Sequence, residues 1–258
     1  MTGRAVTGRA MTGKRKALAL ALLLPAGGAA GAQTCQDTRF EGTAYTVCDV
    51  RAGADLRLWL TAPDGRPVGS FERLRSMTGA QGRDLVFAMN AGMYHADRSP
   101  VGLHVEAGET LAPAVTSAGG GNFGLLPNGI FCIRPDGFAV VETKTFLAAP
   151  PACTYATQSG PMLVIGGELH PRFLTESESL NIRNGVGVTA DGQTARFAIS
   201  AGPVNFHTFG RFFRDVLETP DALYLDGSIS RIYAPELGRN DGGGPLGPIV
   251  GLLAPAPE

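Results

Sequence analysis

Apolar positions along this chain fall into short runs that alternate with polar residues or stand as brief continuous stretches, a pattern of strands more than of helices. Tyr45 to Val50 and Leu56 to Thr61 alternate like paired strands, and Pro63-Asp64-Gly65 supplies the turn that follows. Leu85 to Met89 is apolar throughout, as in a buried strand. Val101 to Val105, Gly129 to Ile133, Met162 to Ile165, Val186 to Thr189, Arg196 to Ser200 and Ile249 to Leu253 read the same way. One segment has a clear helical period: in Phe206 to Leu217, residues Phe209, Phe212, Phe213, Val216 and Leu217 share a face. Thr208 is its expected cap and Pro220 lies just past its end. A shorter helix is expected around Glu72 to Thr78. The pattern predicts an α+β fold: a single strand-rich domain with a mixed β-sheet and a few helices, its active site at strand ends.

Composition agrees and removes some function classes. The 258 residues include 36 Gly and 18 Pro, which favours many turns. A formal net charge of -1 provides no basic field for nucleic acid. The first residues are a separate case. Arg4, Arg9, Lys14, Arg15 and Lys16 precede the apolar run Ala17 to Leu24, which is too short to span a bilayer. Ala30-Gly31-Ala32 then reads as a cleavage site. Residues 1–32 are therefore expected to be a signal peptide, with Met11 as an alternative start, and 33–258 the mature domain. Ala32-Gln33-Thr34 before Cys35 makes a poor lipobox. The expectation is a periplasmic or secreted protein with no integral membrane segment.

Four cysteines, Cys35, Cys48, Cys132 and Cys153, follow the leader, an even number that suits disulfides in an exported chain. Of the three possible connectivities, Cys35 with Cys48 and Cys132 with Cys153 is the simplest. There is no C-x-x-C, no H-E-x-x-H and no calcium-loop spacing of acids, so neither a metal nor another cofactor is expected.

The chemistry gathers where apolar runs stop. Ala222 to Leu225 ends on Asp226, followed by Gly227 and Ser228. Asp-Gly is also a common turn between strands. Other runs deliver Asn90 with Met93, Tyr94 and His95, the segment Gly119-Gly120-Gly121-Asn122, Ser159-Gly160, and Arg183-Asn184-Gly185. Each has a turn or loop reading of its own. Several polar groups set at strand ends can nevertheless build a pocket along one sheet edge. The Gly-rich segment lacks the Lys of a nucleotide loop, and Ser159 lacks the flanking pattern of a hydrolase elbow. His170, beside Pro171, is expected in an exposed loop.

Taken in order, NAGMY (from Asn90), SPVGL (Ser99), GNF (Gly121), PNGIF (Pro127), QSGPML (Gln158), RNGVGV (Arg183) and LYLDGSIS (Leu223) resemble the phosphodiester glycosidase family, in its compact bacterial exported branch. The resemblance covers roughly Leu85 to Leu253. It departs from the family's uncovering-enzyme branch in the residues around Asn90, Arg183 and Asp226, though those three persist. It implies an exported hydrolase that cleaves the glycosidic C1–O bond of a sugar 1-phosphodiester, with a phosphorylated sugar or envelope glycan as partner. In that reading Asp226 and Arg183 are catalytic, as carboxylate and phosphate clamp. Asn90, Tyr94, His95, Asn122, Ser159, Gly160, Gly227 and Ser228 bind substrate. A leaving phosphate monoester is already a stable anion, so one carboxylate and one cation can replace the usual pair of carboxylic acids. The competing reading is a non-catalytic envelope glycan-binding protein on the same fold.

Overall fold

A computed structural model describes residues 1–3, 5, 34–226 and 229–255. The chain divides into two compact units, Met1–Ala32 and Gln33–Glu258, and the second carries the sheets. The predicted leader lies almost wholly outside the described residues, as do Gly227 and Ser228.

Three sheets share one core. The first has seven strands in the order Cys35–Phe40, Thr43–Arg51, Thr194–Ser200, Asn184–Val188, Asp221–Tyr224, Met162–Ile165, Glu168–Leu169. The second runs Arg239–Asn240, Ile232–Ala234, Leu85–Asn90, Ile249–Leu253, Asp55–Trp59. The third runs Glu109–Ala112, His104–Glu106, Tyr155–Ser159, Gly129–Arg134, Gly137–Glu142. The α+β, strand-rich class holds, but the mixed sheet does not. Every ladder among the described residues is antiparallel. Parallel pairing needs long crossovers, whereas several strands here return through hairpin loops of two residues.

Phe197 of the first sheet meets Phe87 of the second at 5.1 Å and Phe131 of the third at 5.6 Å between ring centroids. Around this triple contact pack Val186, Leu223, Met89, Val250 and Ile133. The outer face of the first sheet is sealed by helix Phe206–Arg211 and the π-helical turn Phe212–Val216. Leu85–Asn90 is buried on both faces. Phe87 and Met89 enter the shared core, while Leu85 and Ala88 lie under helix Phe71–Gly79. Two apolar environments explain its unbroken apolar run.

The long helix predicted from Phe206 differs in detail. Its cap is Asn205, whose Oδ1 accepts from the Thr208 N–H at 2.8 Å. Its second half widens into the π turn, which lets the consecutive residues Phe212 and Phe213 both face the sheet and leaves Val216 exposed. Val101 to Leu103 is not strand: Leu103 N–H donates instead to Gln158 Oε1. His170 is buried, contrary to its expected exposure. It lies parallel to Phe173 and its Nε2 is 3.1 Å from the Leu126 carbonyl. Burial also pushes its pKa below the ordinary histidine value. The disulfides are Cys35–Cys48 and Cys132–Cys153, as expected.

Candidate functional site

The backbone that presents Asp226 is held from both sides. Strand Asp221–Tyr224 pairs with Asn184–Val188, Gly185 opposite Tyr224, and one step further Leu225 N–H donates to the Asn184 carbonyl at 3.1 Å. On the other side the Ser159 hydroxyl donates to the Leu225 carbonyl. Both polar groups of Leu225 are thus fixed just before the chain delivers Asp226 to the floor of a cleft of about 660 Å³. Asp226 is 7% exposed.

Tyr94, His95, Arg98 and Asn122 line the same cleft, with Gly119 to Gly121 along one wall. Apolar lining comes from Met93, Phe123 and Ile229. Burial raises the pKa of the Tyr94 phenol, the charge of Asp226 adds to the rise, and Arg98 and Arg231 oppose it. Tyr94 therefore carries its proton at neutral pH, within electrostatic range of Asp226. Tyr224, one residue pair back in the core, is pushed up to about 12, mainly by burial. The Tyr94 ring is seated against Gly247, where any Cβ would fall inside the ring's van der Waals surface. Gly247→Ala is accordingly expected to lower stability by about 1–3 kcal/mol through overpacking, measurable as a fall in Tm.

The cleft walls hang on one side chain. Gln158 Oε1 accepts from the N–H groups of Leu103 and Val115, and its Nε2 donates to the Val115 carbonyl and to the Thr143 hydroxyl. Val115 stands at the root of the Gly119–Gly121 wall, so a buried amide sets where that wall begins. Gly92 and Gly102 press so closely on Thr157 and Gln158 that a Cβ at either would collide.

The structure brings Asp226, Tyr94, His95 and Asn122 together in the cleft and leaves the remaining described candidates behind it. Arg183 is fully buried. Its Nε donates to the Val204 carbonyl and its Nη2 to the Ser179 carbonyl, each at 2.8 Å. The guanidinium lies 3.7 Å from the Phe206 ring centroid and 5.3 Å from that of Tyr224. Burial lowers its pKa, with Tyr224 opposing. Two of its nitrogens serve backbone carbonyls and it does not line the cleft, so the expected phosphate clamp is a buried tie. Asn90 is likewise enclosed: its Nδ2 donates to Asn184 Oδ1, its Oδ1 accepts from Arg231 N–H, and its carbonyl accepts from Asn184 Nδ2. This pair staples the first sheet to the second. Ser159 and Gly160 are buried in the support of the site, Gly160 against Asn128. Asp241 anchors backbone, accepting from Ile232 N–H and Arg239.

Sequence reasoning missed Asn184 and Gln158, whose partners lie 94, 55 and 43 residues away. It also missed Arg98, which sits beside the expected Tyr94 and His95 and was legible as a cation next to a candidate motif.

Comparison with known proteins supplies the last observation. The sequence profile described as phosphodiester glycosidase matches residues 83–243. The chain is 33% identical over 220 residues to the uncharacterized protein YigE of Escherichia coli (strain K12), covering 85% of each chain. Among solved structures it resembles the zebrafish N-acetylglucosamine-1-phosphodiester alpha-N-acetylglucosaminidase catalytic domain auto-inhibited by its pro-peptide. That match has a TM-score of 0.56 and 14% identity, covering 84% of this chain and 81% of that one. It also resembles an exported-protein candidate of Burkholderia pseudomallei K96243, with a TM-score of 0.52 and 12% identity over 82% and 74% of the two chains. At those identities the structural likeness speaks for the fold.

Proposed function

The chain belongs to the phosphodiester glycosidase family, and on that premise we propose that it hydrolyses the C1–O bond of a sugar 1-phosphodiester outside the cytoplasm. The single observation that carries the proposal is the strand-end carboxylate of Asp226 on the floor of an open cleft, with a protonated phenol, Tyr94, in its field. The sugar stands with C1 over Asp226. As the C1–O bond breaks, its electron pair stays on the phosphate oxygen, and the carboxylate stabilises positive charge growing at C1. Water oxygen ends on C1 and one of its protons leaves by way of Asp226. Asn122 and the segment Gly119 to Gly121 line the cleft and offer neutral donors to the diester. Two disulfides and the basic, then apolar, first residues support action in a periplasm or outside the cell, on an envelope or extracellular glycan.

Turnover in H₂¹⁸O tests the bond. The released phosphate monoester is expected to carry no label, because its bridging oxygen came from the substrate. Labelled phosphate would mean P–O cleavage and would sink the proposal. The phosphate is the product to read, since a reducing sugar exchanges its C1 hydroxyl with water. If none of a broad panel of sugar 1-phosphodiesters is cleaved, the glycan-binding reading takes its place.

A further inference from the structure

The loop Tyr94 to Pro100 is a small hairpin whose tip does not have the residue its backbone favours. Tyr94 bridges Pro100, His95 N–H donates to the Ser99 carbonyl at 2.8 Å, and Arg98 N–H donates to the His95 carbonyl at 2.9 Å. Asp97 braces the tip by accepting from the Ser99 N–H and hydroxyl. This is a three-residue hairpin that closes through a left-handed residue, a position where glycine is at home. Here that residue is Arg98, at φ 76°. Glu41, Ala107 and Glu218 also take positive φ, the first two opening two-residue turns completed by a glycine, Gly42 or Gly108. Arg98 alone of the four lines the cleft.

Its side chain folds back over Tyr94, with the guanidinium carbon 5.4 Å from the ring centroid. Arg98 and Asp226 line the same cleft, and both act on the Tyr94 phenol with opposite sign. The neighbouring arginines are engaged elsewhere. Arg183 is held by backbone carbonyls, and Arg231 donates to the Gly244 carbonyl and packs on Gly243. Among the described residues the Arg98 guanidinium has no hydrogen-bond or ion-pair partner, and Arg98 lines the cleft that holds Asp226. An unfavourable backbone conformation that places a charged side chain in a cleft points to function more readily than to stability.

We propose that Arg98 grips the phosphate of the substrate and thereby makes a phosphorylated aglycone a condition of binding. The inference rests on the phosphodiester reading of the cleft. A planar guanidinium can bind two phosphate oxygens at once and stabilise the charge that collects there as the C1–O bond breaks. It supplies the cation that the sequence assigned to Arg183.

The test sets stability against affinity. Arg98→Gly relieves the left-handed residue, so its Tm is expected to equal the wild-type value or rise by about 2–4 °C. Calorimetric titration of the same variant with inorganic phosphate, glucose 1-phosphate and N-acetylglucosamine 1-phosphate is expected to show affinity about 10- to 100-fold weaker than wild type for whichever probe binds. Arg98→Lys, which keeps charge but not the planar fork, is expected between the two. If Arg98→Gly binds the probes within twofold of wild type, the inference about Arg98 is wrong while the phosphodiester reading stands. A fall in Tm of several degrees in that variant would assign Arg98 to the fold and overturn the inference equally. If wild type binds none of the probes at 1–10 mM, roughly the weakest range such contacts can give, both the inference and the phosphodiester reading fail.

Discussion

Asp226→Asn is expected to lower hydrolysis of a sugar 1-phosphodiester by about 10³-fold while the protein keeps its fold. The substitution preserves shape at a residue that is nearly buried, and it leaves the Leu225 contacts to Asn184 and Ser159 in place. What it removes is the negative charge under C1, which matters only as the sugar becomes cationic. The loss should therefore fall on kcat more than on KM. The same variant has a readout that needs no substrate. The charge of Asp226 is one cause of the raised Tyr94 pKa, so ultraviolet titration should find that phenol closer to its ordinary value of 10.0. Turnover near wild type would take Asp226 out of the mechanism. An unmoved phenol with lost turnover would separate the charge from the ring and break the geometry argued above.

The second large effect concerns Arg183, on stability. Arg183→Met is expected to cost about 3–5 kcal/mol, a fall in Tm of about 6–20 °C. The Val204 carbonyl would keep only the Asn181 N–H, the Ser179 carbonyl would lose its Arg183 donor, and Phe206 and Tyr224 would lose the cation that packs on both rings inside the protein. That cation also stands at the end of a stack: Phe206 packs parallel to Phe173 at 5.2 Å, and Phe173 packs on His170 at 4.8 Å. Thermal unfolding measures the effect directly. A wild-type Tm together with lost phosphate affinity would return Arg183 to the role of clamp. Arg183 still bears on the site, because Asn184, the next residue, holds Leu225 N–H just before the chain reaches Asp226. A loosened Arg183 would loosen the strand end that aims the carboxylate.

Much of the architecture could be read from the chain. Strand runs at Leu85, Gly129, Met162 and Ile249, the helical aromatic face after Asn205 and the two short-range disulfides all follow from local pattern. Local pattern also marked Asp226, because an apolar run that stops at a carboxylate announces a strand end. It failed at the π turn, where Val216, which the helical period sets on the buried face, is exposed. It failed again at His170, whose burial depends on Phe173 and on a carbonyl from a distant loop.

The division is sharpest within the site. Sequence alone determined the family, the strand-rich class and the positions at which polar residues leave the strands, since each is written in neighbouring residues. Only the tertiary structure decided which of those polar groups have their hydrogen bonds used up inside the protein. Asn90, Ser159 and two nitrogens of Arg183 are engaged by Asn184, Leu225 and the carbonyls of Val204 and Ser179 behind the cleft, whereas Asp226, Tyr94 and Arg98 line it. A polar side chain must be hydrogen-bonded when buried, and whether its partner is the protein or a substrate depends on which strand lies alongside. That neighbour is set by the packing of three sheets, and the spacing of residues along the chain does not carry it.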